Sequence, residues 1–505
     1  MMRGLQEIGK YFFGVVLVLA VGAVGGESSG KEVPVPATQA AGEEVLGNEY
    51  VDKNFGYSIR PPAGCVGSLK KMPGPAGSLE LAQFVSTKGH SWLTVRYSQA
   101  ERAIKQEELL AGLKVEAVQG LRDAKVHRGE LTKVCGRPAA VCEVTYEEKG
   151  TRLVRHQSVI QFQPDEVFIV TYSTRETEVA ASRATFAAVL ASFTIPEPGI
   201  SRKSLGTAIA RGIQWLSELR SRDWSDVLVQ GPSYWRYESK GKPIGFLRVR
   251  EESKVQDGRL GVQIHERAWF FGDGKSYRDV QNTMFLSLDL QSESWENLAQ
   301  SRAEVDGKIL LTHDLNKGLR GEDQLALAYT ERAGDAALAR TILKVPESYL
   351  PMALVRMFSR LADVTKAESY AFSSYDVESR EMVVRVVRIL GRTKAKGIDH
   401  SGPAFKVEDN VGLLPPAMEL YTDAKGRILR VVRGDLVMEA STRSQVEAMF
   451  KEQMAAADDL YKRSIAEQER ALRQLLGPAA EKAETPKDPG RKREDGRGNP
   501  ERQSR

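Results

Sequence analysis

Cys65 is the first residue of this chain whose chemistry could support catalysis. It follows "NFGYSIRPPAG", in which a strand-like alternation meets two prolines and a glycine, so the thiol could lie on a turn. A cysteine nucleophile needs a neighbouring base and a lowered thiol pKa. His90 or His156 could be that base only through a contact that the sequence does not reveal. The sequence therefore favours a packed Cys65 over a catalytic one.

The histidines do not show the spacing of a metal site. His265 has a carboxylate beside it, Glu266, but consecutive strand residues point to opposite faces of a sheet. We therefore predict no metal and no cofactor. The six histidines are His90, His127, His156, His265, His313 and His400.

A phosphate-binding loop is suggested by "GDGKS" (272–276), but the surrounding residues do not support it. That motif needs a glycine where this chain has Trp269, and a helix after it, whereas here strand-like segments flank the sequence. Asp-Gly between alternating strands is typical of a hairpin turn. Within the two predicted domains, no G-x-S-x-G nucleophile motif and no dinucleotide fingerprint occurs. We therefore predict no catalytic residues and no enzymatic activity.

Cys135 and Cys142 flank "GRPAAV", which is typical of a hairpin turn, and they could form a disulfide across it. Cys65 would then be left over. The alternative is that all three cysteines are small, half-buried apolar residues.

The composition indicates a soluble protein with more than one domain. The chain has 505 residues, of which 41% are hydrophobic and 28% are charged, so two domains with extensions are expected. A net charge of +5 is too small to indicate a nucleic-acid surface.

The first residues have the pattern of an export signal. Arg3 and Lys10 precede an apolar run and a group of small residues, so we predict a signal peptide over 1–26. An uncleaved membrane anchor is the alternative, but the run is short for a span of about 20 residues. Residues 27–47 are typical of a flexible linker. The mature protein should therefore be periplasmic or secreted, without a transmembrane segment.

Residues 48–198 mix strands and helices, which predicts an α+β domain with a mostly antiparallel sheet. The predicted helices cover 104–121 and 176–192. The predicted strands cover 79–86, 92–98, 139–146, 152–162 and 166–173.

This first domain resembles the PsbP-like α/β family. The residues that carry the resemblance are the stretch from Phe55 to Cys65, "VCGRPAAV" (134–141) and "FAAVLASF" (186–193). Cys65 occupies the position where the family usually has tryptophan. Members of the family are mostly non-catalytic binding or assembly factors, so the resemblance implies no active site. It also implies that Phe55, Tyr57 and Ile59 pack inward.

A bridging helix is predicted within 199–232, and a long series of alternating strands follows over 233–443. One helix, predicted over 346–363, interrupts the strands. The pattern indicates a large curved antiparallel sheet or half-barrel.

This second region resembles the incomplete barrel of lipoprotein carriers. The supporting residues are "KGKPIGF" (240–246), "SYLP" (348–351), "FSSYD" (372–376) and "YTDAKGRILRV" (421–431). The resemblance implies a concave apolar interior able to hold an acyl chain or a peptide. A closed, dry core is the equally weighted alternative. The candidate lining residues are Phe246, Val249, Trp269, Phe271, Leu350, Leu354, Phe358 and Leu361.

A capping box at Ser444 and Glu447 predicts a long amphipathic helix over 444–476. Its apolar stripe could pack on the half-barrel or mediate dimerisation. The charged tail, 477–505, is predicted to be disordered.

Together these patterns predict an exported, non-catalytic binding or scaffold protein that holds an apolar ligand or a protein partner in the half-barrel. One alternative is an envelope assembly factor that acts through the C-terminal helix and tail. The other is an unrecognised hydrolase, which a cleft that pairs Cys65 or a serine with a histidine would favour. The sequence leaves the oligomeric state open.

Overall fold

The computed structural model describes residues 45–73, 78–88, 90–196, 202–272, 276–331, 337–394, 398, 400–413 and 417–476. The predicted signal peptide, most of the predicted linker, the tail 477–505 and the centre of "GDGKS" lie outside these residues. Strands on both sides of that last segment pair with each other, with Phe271 opposite Tyr277.

A small hairpin of β1 (Tyr50–Asp52) and β2 (Tyr57–Ile59) opens the described chain. Tyr57 and Ile59 are fully buried and Phe55 is partly buried against the same core, in agreement with the inward packing expected for these three residues. The hairpin forms its own two-stranded sheet and does not join the larger sheet of its domain.

The first domain is built on a seven-stranded antiparallel sheet in the order β3-β4-β5-β9-β8-β7-β6. Its strands are β3 (Cys65–Pro73), β4 (Leu79–Ser86), β5 (Trp92–Gln99), β6 (Arg122–Val134), β7 (Arg137–Glu148), β8 (Thr151–Gln163) and β9 (Glu166–Arg175). Its helices are α1 (Gln106–Val118) and α2 (Val179–Ser192), the second preceded by a 3₁₀ turn at Glu176–Glu178.

The two helices cover opposite faces of this sheet. Successive residues of β7 face opposite sides of the sheet. Ala139 packs in the core beneath α2, and Ala140 packs in the core beneath α1. The predicted α+β arrangement is therefore confirmed.

Helix α3 (Arg202–Arg220) and a 3₁₀ turn at Ser225–Val227 lead into an open fourteen-stranded antiparallel sheet. The sheet order is β17-β16-β15-β14-β13-β12-β11-β10-β23-β22-β21-β20-β19-β18. The strands are β10 (Ser233–Ser239), β11 (Lys242–Gln256), β12 (Arg259–Phe271), β13 (Ser276–Ser287), β14 (Ser292–Val305), β15 (Lys308–Gly321), β16 (Gln324–Thr330), β17 (Leu338–Lys344), β18 (Glu368–Asp376), β19 (Glu381–Thr393), β20 (Ala404–Val411), β21 (Met418–Thr422), β22 (Ile428–Arg433) and β23 (Leu436–Ser441).

Helix α4 (Met352–Leu361) packs on one face of this sheet, which we call the inner face. It is shorter than the predicted helix over 346–363, because Pro351 precedes its first turn and residues before it extend along β18.

Gly318 lies beneath the indole of Trp295 on the inner face. A Cβ added at Gly318 would lie 2.2 Å from the indole, so no larger residue fits there.

The opposite, outer face packs against the C-terminal helices α5 (Arg443–Met449) and α6 (Lys451–Leu476). The long C-terminal helix predicted from the sequence is therefore present, divided into two segments at Phe450. Thr442 and Gln445 form the capping box, and the helix is interrupted at Phe450. The Phe450 ring packs against Phe246 and Phe271, with ring centroids 5.7 and 5.4 Å apart.

Among the described residues, no helix combines the length and apolar character needed to cross a membrane.

The turn between β1 and β2 joins the first domain to the second. The Lys53 ammonium lies 2.8 Å from the Asp376 carboxylate and 3.0 Å from that of Glu378. Burial raises the pKa of Asp376, but Lys53 and the hydrogen bonds from Ser379 outweigh burial and hold that pKa below its ordinary value. The Asn54 side chain accepts a hydrogen bond from the backbone N–H of Val384, so the contact is specific in geometry as well as in charge.

Candidate functional site

A groove of about 410 Å³ lies between α2 and the strands β6 and β7. This volume is in the range of small-molecule sites in proteins. Its apolar lining is Val134, Val141, Phe186, Ala187, Leu190 and Ala191. Its charged or titratable lining is Arg128, Glu130, Lys133, Glu143, His156 and Arg183. The groove therefore combines an apolar floor with a polar end and a partly basic rim.

The groove exists because α2 covers only part of its face of the sheet. The helix packs over β8 and β9, where Phe186, Val189 and Phe193 are buried. The sheet continues past the helix through β7 to its edge strand β6. The α2-facing side chains of those last two strands therefore form a floor beside the helix.

The polar end of the groove is organised by Glu143, an inward-facing residue of β7 that is 4% exposed. Arg183 of α2 donates two hydrogen bonds to its carboxylate, from Nε at 2.6 Å and from Nη2 at 2.7 Å. His156 Nδ1 lies 3.5 Å from the same carboxylate, and His156 Nε2 lies 2.8 Å from Ser182 Oγ. These contacts hold all four side chains in one connected arrangement.

The charges of this arrangement follow from those contacts. The hydrogen bonds from Arg183 lower the pKa of Glu143 and outweigh the opposing effect of burial, so the carboxylate is ionised at neutral pH. Burial lowers the pKa of His156, and the neighbouring Glu143 only partly offsets it. The imidazole is therefore neutral at neutral pH, and its two nitrogens can donate to one neighbour and accept from the other.

The order Ser182–His156–Glu143 has the connectivity of a nucleophilic triad, which is the feature that the hydrolase alternative required. The position of the serine argues for a different role. Ser182 is 3% exposed, it does not line the groove, and its hydroxyl lies 3.0 Å from the Val179 carbonyl oxygen of its own helix. Because a nucleophile must reach its substrate, we interpret Ser182 as a residue that positions the imidazole.

The structure does not bring Cys135 and Cys142 together, and all three cysteines are free thiols. The predicted disulfide is wrong because the turn is formed by Cys135 and Gly136 themselves, with φ of 44° and 77°. Cys142 lies five residues along β7 from Arg137, or about 16 Å, whereas a disulfide needs Cα atoms within about 7 Å. Burial raises the pKa of Cys142 to about 12.

Cys65 begins β3 and packs, partly buried, against the core beneath α2. Burial raises the pKa of its thiol, which is opposite to the shift that a nucleophile needs. Within the described ranges, no group of three or more His, Cys, Asp or Glu side chains could hold a metal ion.

The eight predicted lining residues of the half-barrel do not line one interior. Phe246, Trp269 and Phe271 lie on the outer face, in contact with the C-terminal helices. The other five, Val249, Leu350, Leu354, Phe358 and Leu361, lie in the inner-face core and are at most 6% exposed. The sequence prediction overlooked the alternation of strand side chains, since Phe246 and Val249 are an odd number of residues apart.

The inner face also holds charged residues that the sequence did not single out, and they fasten α4 to the sheet. Arg360 donates two hydrogen bonds to Glu251, at 2.7 and 2.6 Å. Arg356 lies 2.8 Å from the buried Glu266 carboxylate. Because these cations lie on the helix and the carboxylates on strands, the ion pairs fix the position of the helix in the half-barrel.

Glu293 of β14 ties the start of α4 to the sheet. Its carboxylate accepts hydrogen bonds from the backbone N–H of Met352 at 2.7 Å and from the Tyr349 hydroxyl at 3.0 Å. Burial outweighs these bonds and raises the pKa of Glu293 from 4.5 to about 7.

We expect this carboxyl to make the protein less stable as pH rises. The folded state retains a proton that the unfolded chain releases, so the free energy of unfolding should fall between pH 4.5 and about 7. The decrease should be about 3 kcal/mol, since one pKa unit is worth about 1.4 kcal/mol. Urea unfolding of the wild type and of Glu293→Gln across this range measures it. The variant should show a flatter pH dependence, and equal slopes would contradict the assignment.

No protein-family model and no curated protein matches this sequence. Three solved structures show distant similarity to parts of the chain. PsbP from Synechocystis sp. PCC 6803 is 18% identical, with a TM-score of 0.24 over 32% of this chain and 100% of that chain. LpqN, involved in cell envelope biogenesis of Mycobacterium tuberculosis, is 12% identical, with a TM-score of 0.23 over 28% and 83%.

The third is a β-barrel-like protein of domain of unknown function DUF1849 from Brucella abortus. It is 12% identical, with a TM-score of 0.30 over 42% of this chain and 95% of that chain. Parts of the chain therefore have distant structural similarity to PsbP and to a β-barrel-like protein, without a matching family, and the resemblance to lipoprotein carriers stays a prediction.

Proposed function

We propose that this chain is an exported, non-catalytic binding protein and that its ligand site is the groove between α2 and β6–β7. In this proposal the fourteen-stranded sheet is a scaffold with a filled interior. The ligand is amphipathic: an apolar body lies on Phe186, Leu190 and Val141, and a polar or anionic end meets Arg183.

The observation that carries the proposal is the open apolar floor beside a fixed charged end. Glu143 is buried and holds Arg183 with two hydrogen bonds, yet half of the Arg183 side chain (51%) remains exposed. A guanidinium carries five N–H donors in a fixed plane, so Arg183 can hold Glu143 and still meet a ligand oxygen. Such pre-positioned polar groups at the end of an apolar groove are typical of ligand sites.

The half-barrel interior is the weaker candidate. The predicted lining residues there contact the protein's own helices, so a ligand at those positions would have to displace α4. The C-terminal helices are also a weaker candidate, because Val446, Phe450 and Leu460 of their apolar stripe are buried on the outer face.

The test uses anilinonaphthalene sulfonate (ANS), a dye with an apolar ring system and an anionic group. Ala187→Trp should weaken ANS binding by about tenfold or more, because an indole ring would fill the groove. Ala184→Trp is the matched control, since Ala184 is exposed on the same helix and does not line the groove. Fluorescence titration should give wild-type affinity for the control. Equal affinity for wild type and both variants would place the dye elsewhere and reject the groove.

A further inference from the structure

Strand β6 forms one edge of the seven-stranded sheet and borders the groove directly. Among the described strands of that sheet, β6 is hydrogen-bonded only to β7. From Arg128 to Val134 the pairing with β7 is regular, after two irregularities nearer its start. A regular edge strand presents backbone N–H and C=O groups that can pair with another chain. This stretch of β6 is therefore a template for an added strand.

The turn that follows β6 determines which backbone groups point outward. Cys135 and Gly136 form a two-residue turn, so Val134 and Arg137 make a hydrogen-bonded pair. From Val134 back along β6, residues that are hydrogen-bonded to β7 alternate with residues that are not. Lys133 is one of the residues not bonded to β7, and Pro138, which has no N–H, lies opposite it. The backbone groups of Gly129, Leu131 and Lys133 therefore point away from β7 to the free edge.

The side chains of the same stretch divide between two environments. Arg128, Glu130, Thr132 and Val134 face the groove. Leu131 and Lys133 belong to the opposite, α1-facing side, where Lys114 of α1 lies against the backbone of Gly129. A strand added at this edge would alternate in the same way, with one side chain toward the apolar floor and the next toward Lys114 and Lys133.

We propose that the occupant of the groove is an extended peptide segment of a partner protein, added as an eighth strand against β6. Its apolar side chains enter the groove and its alternate, acidic side chains meet Lys114 and Lys133. This inference rests on the proposed function, because it names the partner of the same groove. Backbone pairing supplies affinity and the groove supplies specificity, as in other cases of strand addition.

The test begins with a displayed library of random short peptides, selected on the purified full chain. Selected peptides should alternate apolar and acidic residues. Leu131→Pro removes an outward N–H without removing a bond to β7, and it should weaken peptide binding by about tenfold or more in fluorescence anisotropy. Leu131→Ala keeps the N–H and should bind within about twofold of wild type. Both variants should still bind ANS, because neither changes the groove lining.

A second measurement needs no variant of the protein. N-methylation of the selected peptide on the residues that face β6 should weaken its binding by about tenfold, whereas N-methylation on the alternate residues should not. Failure to select any peptide, or equal binding to Leu131→Pro and wild type together with no effect of N-methylation, overturns this inference. If Ala187→Trp still weakens ANS binding, the proposed function then stands without this inference. If Ala187→Trp does not weaken ANS binding, the proposed function and this inference are both rejected.

Discussion

Replacing Phe358 with alanine should lower the free energy of unfolding by about 3–5 kcal/mol and leave the affinity for ANS unchanged. Phe358 of α4 is 4% exposed, and its ring packs against those of Trp215, Tyr370 and Phe372. The ring centroids lie 5.0, 5.5 and 5.9 Å from that of Phe358. Removing the ring leaves a cavity among large side chains that cannot close it, which is the costly type of core substitution.

Urea unfolding followed by tryptophan fluorescence measures this change, because five of the six tryptophans lie beyond residue 198. Leu319→Ala is the control, since Leu319 is 59% exposed and its truncation should cost little. A Phe358→Ala protein with unchanged stability and weakened ANS binding would contradict the account, because Phe358 would then line a ligand site in the half-barrel.

Replacing Arg385 with methionine should cost about 3–5 kcal/mol, since it leaves a buried carboxylate without its partner. Only 1% of the Arg385 side chain is exposed, and it donates two hydrogen bonds to Asp409, one of them from Nε at 2.7 Å. The two residues lie on neighbouring strands, β19 and β20, on the same face of the sheet. The desolvated Asp409 charge, more than the lost attraction, accounts for the expected cost.

The double variant Arg385→Met/Asp409→Leu tests that explanation. It should recover most of the lost stability, because it removes the buried carboxylate that Arg385→Met leaves without its hydrogen-bonding partner. Urea unfolding of the wild type, the two single variants and the double variant forms a double-mutant cycle. Additive losses in that cycle would show that the pair does not act as a unit and would contradict the assignment.

The fold class was predictable because it depends on repeated local patterns. The alternation in residues 139–146 and 166–173 and the helical period over 104–121 each extend over many residues, so single exceptions do not change the prediction. The end of a helix depends on fewer residues. Phe450 lies where the C-terminal helix is interrupted, and its ring packs with Phe246 and Phe271, which are distant in sequence.

The candidate site was not predictable to the same extent. Glu143 carried a weak signal, since it is a charged residue at an inward position of an alternating strand. Its partners His156 and Arg183 come from another strand and a helix, and only the sheet order brings the three together. The division of Phe246 and Val249 between two faces followed from strand periodicity alone and could have been derived.

The most direct test of the groove as ligand site is a crystal structure of the full chain with a bromonaphthalene sulfonate, phased on bromine anomalous scattering. We expect a bromine peak between α2 and β6–β7, over Phe186 and Leu190, and no such peak in crystals of Ala187→Trp. A peak beside α4 in the half-barrel, or an undiminished peak in the Ala187→Trp crystals, would contradict it.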